Sequence, residues 1–260
     1  MVYLPPNPEP DWLKCYLATP FTDDELKAFK AAFDLGACSK FSPLVQLKIL
    51  DAPEEYLGKS HQYIRAKVTE AGNTDPFVVV DDEAKSRGAA WYIDQFAEED
   101  DLGQGESTDF VYKILIKTED LAISHASYSI GTSRIFEDLD HCGVDFPLTN
   151  DFHQPELFDC GGIDFEAQQW EQDAYVVAEP GDFEESTDPV LLEDFGPTPE
   201  KVARLKEHVA ESIGLISSWT IPGDQEPEHI EEWTGKKFPE GSVVLQQKFN
   251  PEFPWPAKLL

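Results

Sequence analysis

Bases are scarce in this chain. Lysine and arginine number 20 against 51 aspartates and glutamates, a formal net charge of −31 over 260 residues. That shortage argues against direct contact with nucleic acid phosphates, which needs lysine and arginine, and against anionic membrane surfaces. A basic protein partner, a cation or no partner at all are the readings such a charge leaves. Cysteine is scarce too: Cys15, Cys38, Cys142 and Cys160 form no CxxC pair. The opening MVYLPPNPEPDW has neither the basic start nor the apolar run of a signal peptide. Reduced thiols in a cytoplasmic protein are therefore expected. No stretch approaches the ~20 apolar residues of a membrane span. There is no internal repeat, no P-loop and no GxSxG elbow. The glycine-rich piece GQGEST (103–108) lacks the third glycine of a dinucleotide fingerprint and sits among acids that would repel phosphate.

What is present is enough to fold. Apolar residues make up 41% and aromatics 12%, well above a disordered acidic chain. The length suits one large domain or two small ones. WLKCYLATP (12–20) reads as a first strand. TDDELKAFKAAFDLG follows as a helix, with Thr22 and Glu25 forming a capping box. Leu26, Phe29, Ala32 and Phe33 fall on one face of it, and Gly36 reads as the glycine that ends it. VQLKIL (45–50) is a strand, and HQYIRAKVTEAG a helix ending at Gly72. FVVVDD (77–82) is the strongest signal for a buried strand. AAWYIDQF fits a strand or a helix equally. FVYKILIKT (110–118) is a strand, and EDLAISHASYSI has helical spacing. Alternating strands and helices predict an α/β (or α+β) layered sheet with flanking helices, and FVVVDD and VYKILI are expected as neighbouring central strands.

The second half differs in composition. From Ile135 to Glu200, 66 residues hold no lysine or arginine and 19 acids. Nine aromatics recur through the stretch, among them Phe152, Phe158, Trp170 and Tyr175. Disordered acidic tails lack aromatics, so this extension is expected to be ordered, with its rings packed on the first half. TPEKVARLKEHVAESIGLI (198–216) reads as a long helix, capped by Thr198, with Pro199 at its first position. YVVA (175–178) and VVLQQKF (243–249) read as strands. The expected organisation is an α/β domain over 1–146 and an acidic extension over 147–260, packed as one body.

Three stretches carry a resemblance: WLKCYLATPFTDDELKAF, FVVVDDEA and VYKILIKTEDLAISHASYSIGTSRIFEDL. Together, from Trp12 to Phe146, they resemble an uncharacterised domain family of bacteria and fungi. That family carries no assigned activity, so the resemblance implies a strand–helix framework and no functional residue.

Several constellations could carry chemistry. FVVVDDE resembles the first strand of a phosphorelay receiver domain, where adjacent acids hold Mg²⁺ at a sheet's carboxyl edge. VYKILIKTED lacks the receiver's later strand-ending aspartate, and no suitable lysine follows. His141, Cys142, His153 and Cys160 are potential zinc ligands, but their spacing fits no structural zinc pattern. DLDHCGVD (138–145) starts like a calcium loop, yet Thr149 stands where the bidentate glutamate belongs. No metal and no cofactor are therefore expected. His125, on a helix after a strong strand, could face a cleft. Asp81, Asp82 and His125 are the candidate ligand-facing residues. Two readings follow. One is a non-catalytic acidic interaction protein. The alternative is an enzyme with a carboxylate-lined site near Asp81 and Asp82.

Overall fold

The structure is a computed structural model that describes residues 1–5, 11–37, 45–98, 107–171, 173–196, 199–222 and 227–255. Its elements run β1 (Val2–Tyr3), β2 (Asp11–Leu17), α1 (Asp23–Gly36), β3 (Val45–Asp51), α2 (His61–Glu70) and β4 (Phe77–Val80). Then come α3 (Asp82–Ser86), β5 (Ala89–Phe96), β6 (Val111–Lys117), α4 (Leu121–Ser129), α5 (Ile135–His141) and α6 (Phe165–Glu171). The last part holds β7 (Asp173–Ala178), β8 (Phe183–Ser186), α7 (Pro189–Leu192), β9 (Val202–Leu205), α8 (Glu207–Ser212), β10 (Leu215–Ile216), α9 (Pro227–Thr234) and β11 (Val243–Phe249). The chain mixes layered sheets and helices, an α/β or α+β fold. It divides into two compact units, Pro10–Phe165 and Met1–Glu9 with Glu166–Leu260.

The Pro10–Phe165 unit is built on a five-stranded sheet in the order β3-β2-β4-β5-β6. β3, β2 and β4 are parallel, and β5 runs antiparallel to both neighbours. The chain passes from β2 through α1 to β3, then through α2 back across β2 to β4. The strand order therefore reverses between β2 and β4. Paired residues share a face of the sheet. Lys113 pairs with Ile93, which pairs with Phe77, while Leu115 pairs with Trp91, which pairs with Val79. α2 covers this face: its His61 ring lies 5.1 Å from Trp91, and its Arg65 sits over the Phe77 ring. Tyr92 faces the other way and meets α4, with its ring 5.3 Å from that of Tyr128.

The expectation that β4 and β6 are neighbouring central strands fails, because β5 lies between them. The undecided segment AAWYIDQF pairs with both. That leaves β6 last in the strand order although Val111–Ile116 are all buried. The chain after α5 explains this, because it covers the open edge. Asn150 Oδ1 accepts from Val111 N (3.1 Å), and the Gln154 side chain bonds Leu115 N (2.8 Å) and Leu115 O (2.9 Å). Phe158 then bonds the backbone of Leu115 and Lys117. A side chain that imitates a strand residue satisfies the edge without extending the sheet. Phe136, Phe152 and Phe158 pack against the core of this unit, so its boundary falls at Phe165 rather than 146. The first residues group with the C-terminal unit because β1 pairs with β7.

α1 carries the expected capping box. Gly36 does not terminate it through a left-handed turn. It lies in the last turn, where a Cβ would collide with the Glu119 carbonyl. Glycine is needed there for close approach of two backbones.

The Met1–Glu9 and Glu166–Leu260 unit holds an antiparallel sheet, β1-β7-β11-β10, and a β8–β9 hairpin. Val177, Ile230 and Val244 pack with Tyr3 and Phe238. The long helix expected over 198–216 is instead β9, α8 and β10. Val202–Leu205 pairs with Phe183–Ser186, and Ala203 exchanges two backbone bonds with Thr220. Gly214, at φ +78, then breaks any continuous helix. Thr198, the expected cap, lies outside the described residues.

Candidate functional site

Ligands of open α/β sheets bind at the carboxyl ends of the strands, beside the point where strand order reverses. Here that point is closed by side chains. Thr19, just after β2, donates to Asp82, and Ala18 N donates to Val80 O (2.8 Å). Lys85 Nζ donates to Pro20 O (2.6 Å) and Glu25 Oε2 (2.9 Å). Asp82 is thus spent on bracing the β2–α1 turn. The acids Asp23, Asp24 and Glu25 in the first turn of α1 leave no attraction for an anion there.

Asp81 points elsewhere. One oxygen caps α3, with Oδ1 accepting from Ala84 N (2.9 Å). The other, Oδ2, lies 3.4 Å from His61 Nε2. Ser60 places that histidine, because its hydroxyl caps α2 and makes His61 the first helical residue. From β6, Lys113 extends to the same region. Its Nζ lies 5.0 Å from the ring centroids of both Trp91 and Phe152 and donates to Asn150 O (2.7 Å). Among the described residues it has no carboxylate within ion-pair distance. The Trp91 indole N–H is buried and has no hydrogen-bond partner among the described residues.

Burial governs the charges. It pushes Lys113 down to about 8, against the pull of Asp81, Glu83 and Asp151. His61 is likewise lowered by burial, only partly restored by Asp81, and so is neutral at pH 7. Burial tends to raise Asp81, but the contacts from His61 and the Ala84 N–H outweigh it and hold it below the usual range. The outcome is an ionised carboxylate, a neutral imidazole, and an amine poised near neutrality. Asp81 and Glu83 are partly exposed, whereas Lys113 and Trp91 are buried. Such a set can accept, hold and return a proton close to pH 7.

The sequence candidates separate. Asp81 belongs to this cluster, and Asp82 does not converge with it. His125 is buried on the opposite face, with Nδ1 3.0 Å from Tyr92 OH and Nε2 3.0 Å from Asp11 Oδ2. Adjacent strand residues point to opposite faces, so Tyr92 keeps His125 away from Trp91. His61, Lys113 and Trp91 were not singled out from the sequence. The available signal was a single lysine inside the otherwise apolar run VYKILI. Among the described residues no group of three or more metal-capable side chains converges. The calcium-like start at Asp138 lies in the last turn of α5 and the residues after it. Cys15, Cys142 and Cys160 are free thiols, and Cys38 lies outside the described residues. No protein-family model, curated protein or solved structure matches this chain, so the resemblance over Trp12 to Phe146 brings no activity to it.

Proposed function

We propose that this chain is an enzyme acting on a small organic molecule, with Asp81, His61 and Lys113 as its acid–base group. One observation carries the reading. His61 and Lys113 both lie against Trp91, Asp81 stands 3.4 Å from His61, and burial favours the neutral forms of the histidine and the lysine. In the reading, Lys113 exchanges a proton near pH 7, and His61, oriented by Asp81, relays it. The net charge of −31 supports a second role, attraction of a basic protein, and the free thiols support a cytoplasmic setting.

A buried amine with a lowered proton affinity weakens the fold. Its ammonium form is favoured in the unfolded chain, so stability rises as pH climbs from about 8 to the ordinary lysine value. The shift corresponds to roughly 3 kcal/mol at pH 7. The Asn150 bond and the two ring contacts return part of it, each about 0.5–1 kcal/mol. Lys113→Met is therefore expected to be more stable than the parent by up to about 1.5 kcal/mol at pH 7. The gap should close between pH 8 and 10. Denaturant unfolding of both proteins across that range reads it. A methionine variant that is less stable at pH 7, by an amount independent of pH, would show that Lys113 is a structural strut and end this reading.

A further inference from the structure

We propose that Lys113 Nζ is a nucleophile that condenses with the carbonyl carbon of a small neutral aldehyde or ketone, with the Trp91 N–H receiving the carbonyl oxygen. The inference rests on the acid–base reading above and names its substrate class.

Three observations select that class. First, the amine is walled by Trp91 and Phe152 and carries no carboxylate partner among the described residues, so only a proton masks its lone pair, while one of its N–H bonds is held by Asn150 O. Second, the indole on which it rests has a buried N–H without an acceptor among the described residues. An unmet buried donor is costly, and a carbonyl oxygen brought in beside the amine would meet it. Third, the carboxylates of Asp81, Glu83 and Asp151 act on Lys113. These acids repel carboxylates and phosphates, and they leave a neutral carbonyl compound unopposed.

The step balances within the site. His61, backed by Asp81, takes a proton from the Lys113 ammonium. The free amine forms a C–N bond to the carbonyl carbon, and the C=O π pair moves to oxygen. That oxygen collects the proton held at His61, and Trp91 hydrogen-bonds the resulting hydroxyl. The C–O bond then breaks. The nitrogen passes one of its two protons to His61, which hands it to the hydroxyl, so that water leaves and the nitrogen lone pair closes the C=N bond of a protonated imine. The net change is one ammonium and one carbonyl giving one protonated imine and one water. No oxidant or reductant is consumed. The apolar walls favour loss of water.

The test uses the full chain with acetaldehyde and cyanoborohydride, which fixes an imine as an ethylamine. Peptide mapping at short times gives a rate for each lysine. At pH 7 an amine lowered to about 8 has a much larger free fraction than an ordinary lysine. Ethylation of Lys113 is expected at least about tenfold faster than at exposed lysines such as Lys48 or Lys248. Trp91→Phe should slow Lys113 alone. Equal or slower labelling of Lys113 in the parent protein overturns the proposal. Titration of the Lys113 amine by NMR separates the two levels. A value near 8 without preferential labelling removes the imine chemistry and leaves the acid–base reading. An ordinary lysine value removes both.

Discussion

Replacing Arg65 with methionine is expected to lower stability by about 3–5 kcal/mol, the cost typical of breaking a buried charged network. Arg65 stands on α2 and is 2% exposed. Its guanidinium donates to Asn73 O (2.6 Å), Asp75 O (2.9 Å), Asp94 O (3.4 Å) and Thr69 Oγ1 (3.0 Å), and lies over the Phe77 ring. It therefore ties the end of α2, the turn before β4 and the middle of β5 into one unit. Methionine keeps much of the apolar stem but donates nothing, so three backbone carbonyls lose their partner at once. Lysine recovers only part, because one ammonium cannot reach a fork of acceptors. Chemical denaturation of Arg65→Met and Arg65→Lys measures both. A loss below about 1 kcal/mol for methionine would show that water replaces the guanidinium and that the turn is not held by it.

Gly36→Ala is expected to cost about 3 kcal/mol, at the upper end of ordinary overpacking. The added methyl would overlap the carbonyl of Glu119, so the obstacle is backbone against backbone and no rotamer relieves it. Either the end of α1 or the turn at Thr118–Asp120 must move, and α4 begins directly after that turn. α4 carries His125 against Tyr92, on the face away from Lys113. The substitution should therefore lower the thermal midpoint while the Lys113 titration stays where it is. A shift in both would mean that the two faces of the sheet are coupled.

Sequence reading succeeded where the local signal and the tertiary demand agree. The Thr22–Glu25 capping box, the FVVV run and the 45–51 and 243–249 strands all appear as elements. It failed where pairing partners are remote. Val202, Leu205, Val209, Ile213 and Ile216 have helical spacing, but bonds from Phe183–Ser186 and Thr220 draw the first of them into a strand. Gly36 carried a glycine's usual meaning at a helix end, whereas its neighbour Glu119 sets its role, 83 positions away in sequence. The site divides in the same manner. Asp81 was legible because a strand visibly ends there. Lys113 was hidden because alternation in a strand allows an outward polar residue, and only the fold places Trp91, Phe152 and His61 around it. Asp82 and His125 looked equivalent to Asp81 by type, and they differ by the direction in which their elements aim them.

The account depends on Lys113 being an amine that exchanges its proton near neutral pH. Following the Nζ and Cε resonances of isotope-labelled lysine through a pH titration, with Lys113→Met to assign the signal, measures that directly. The account predicts a midpoint near 8, well below the ordinary lysine value of about 10.4. A Lys113 midpoint at or above 10 would contradict it.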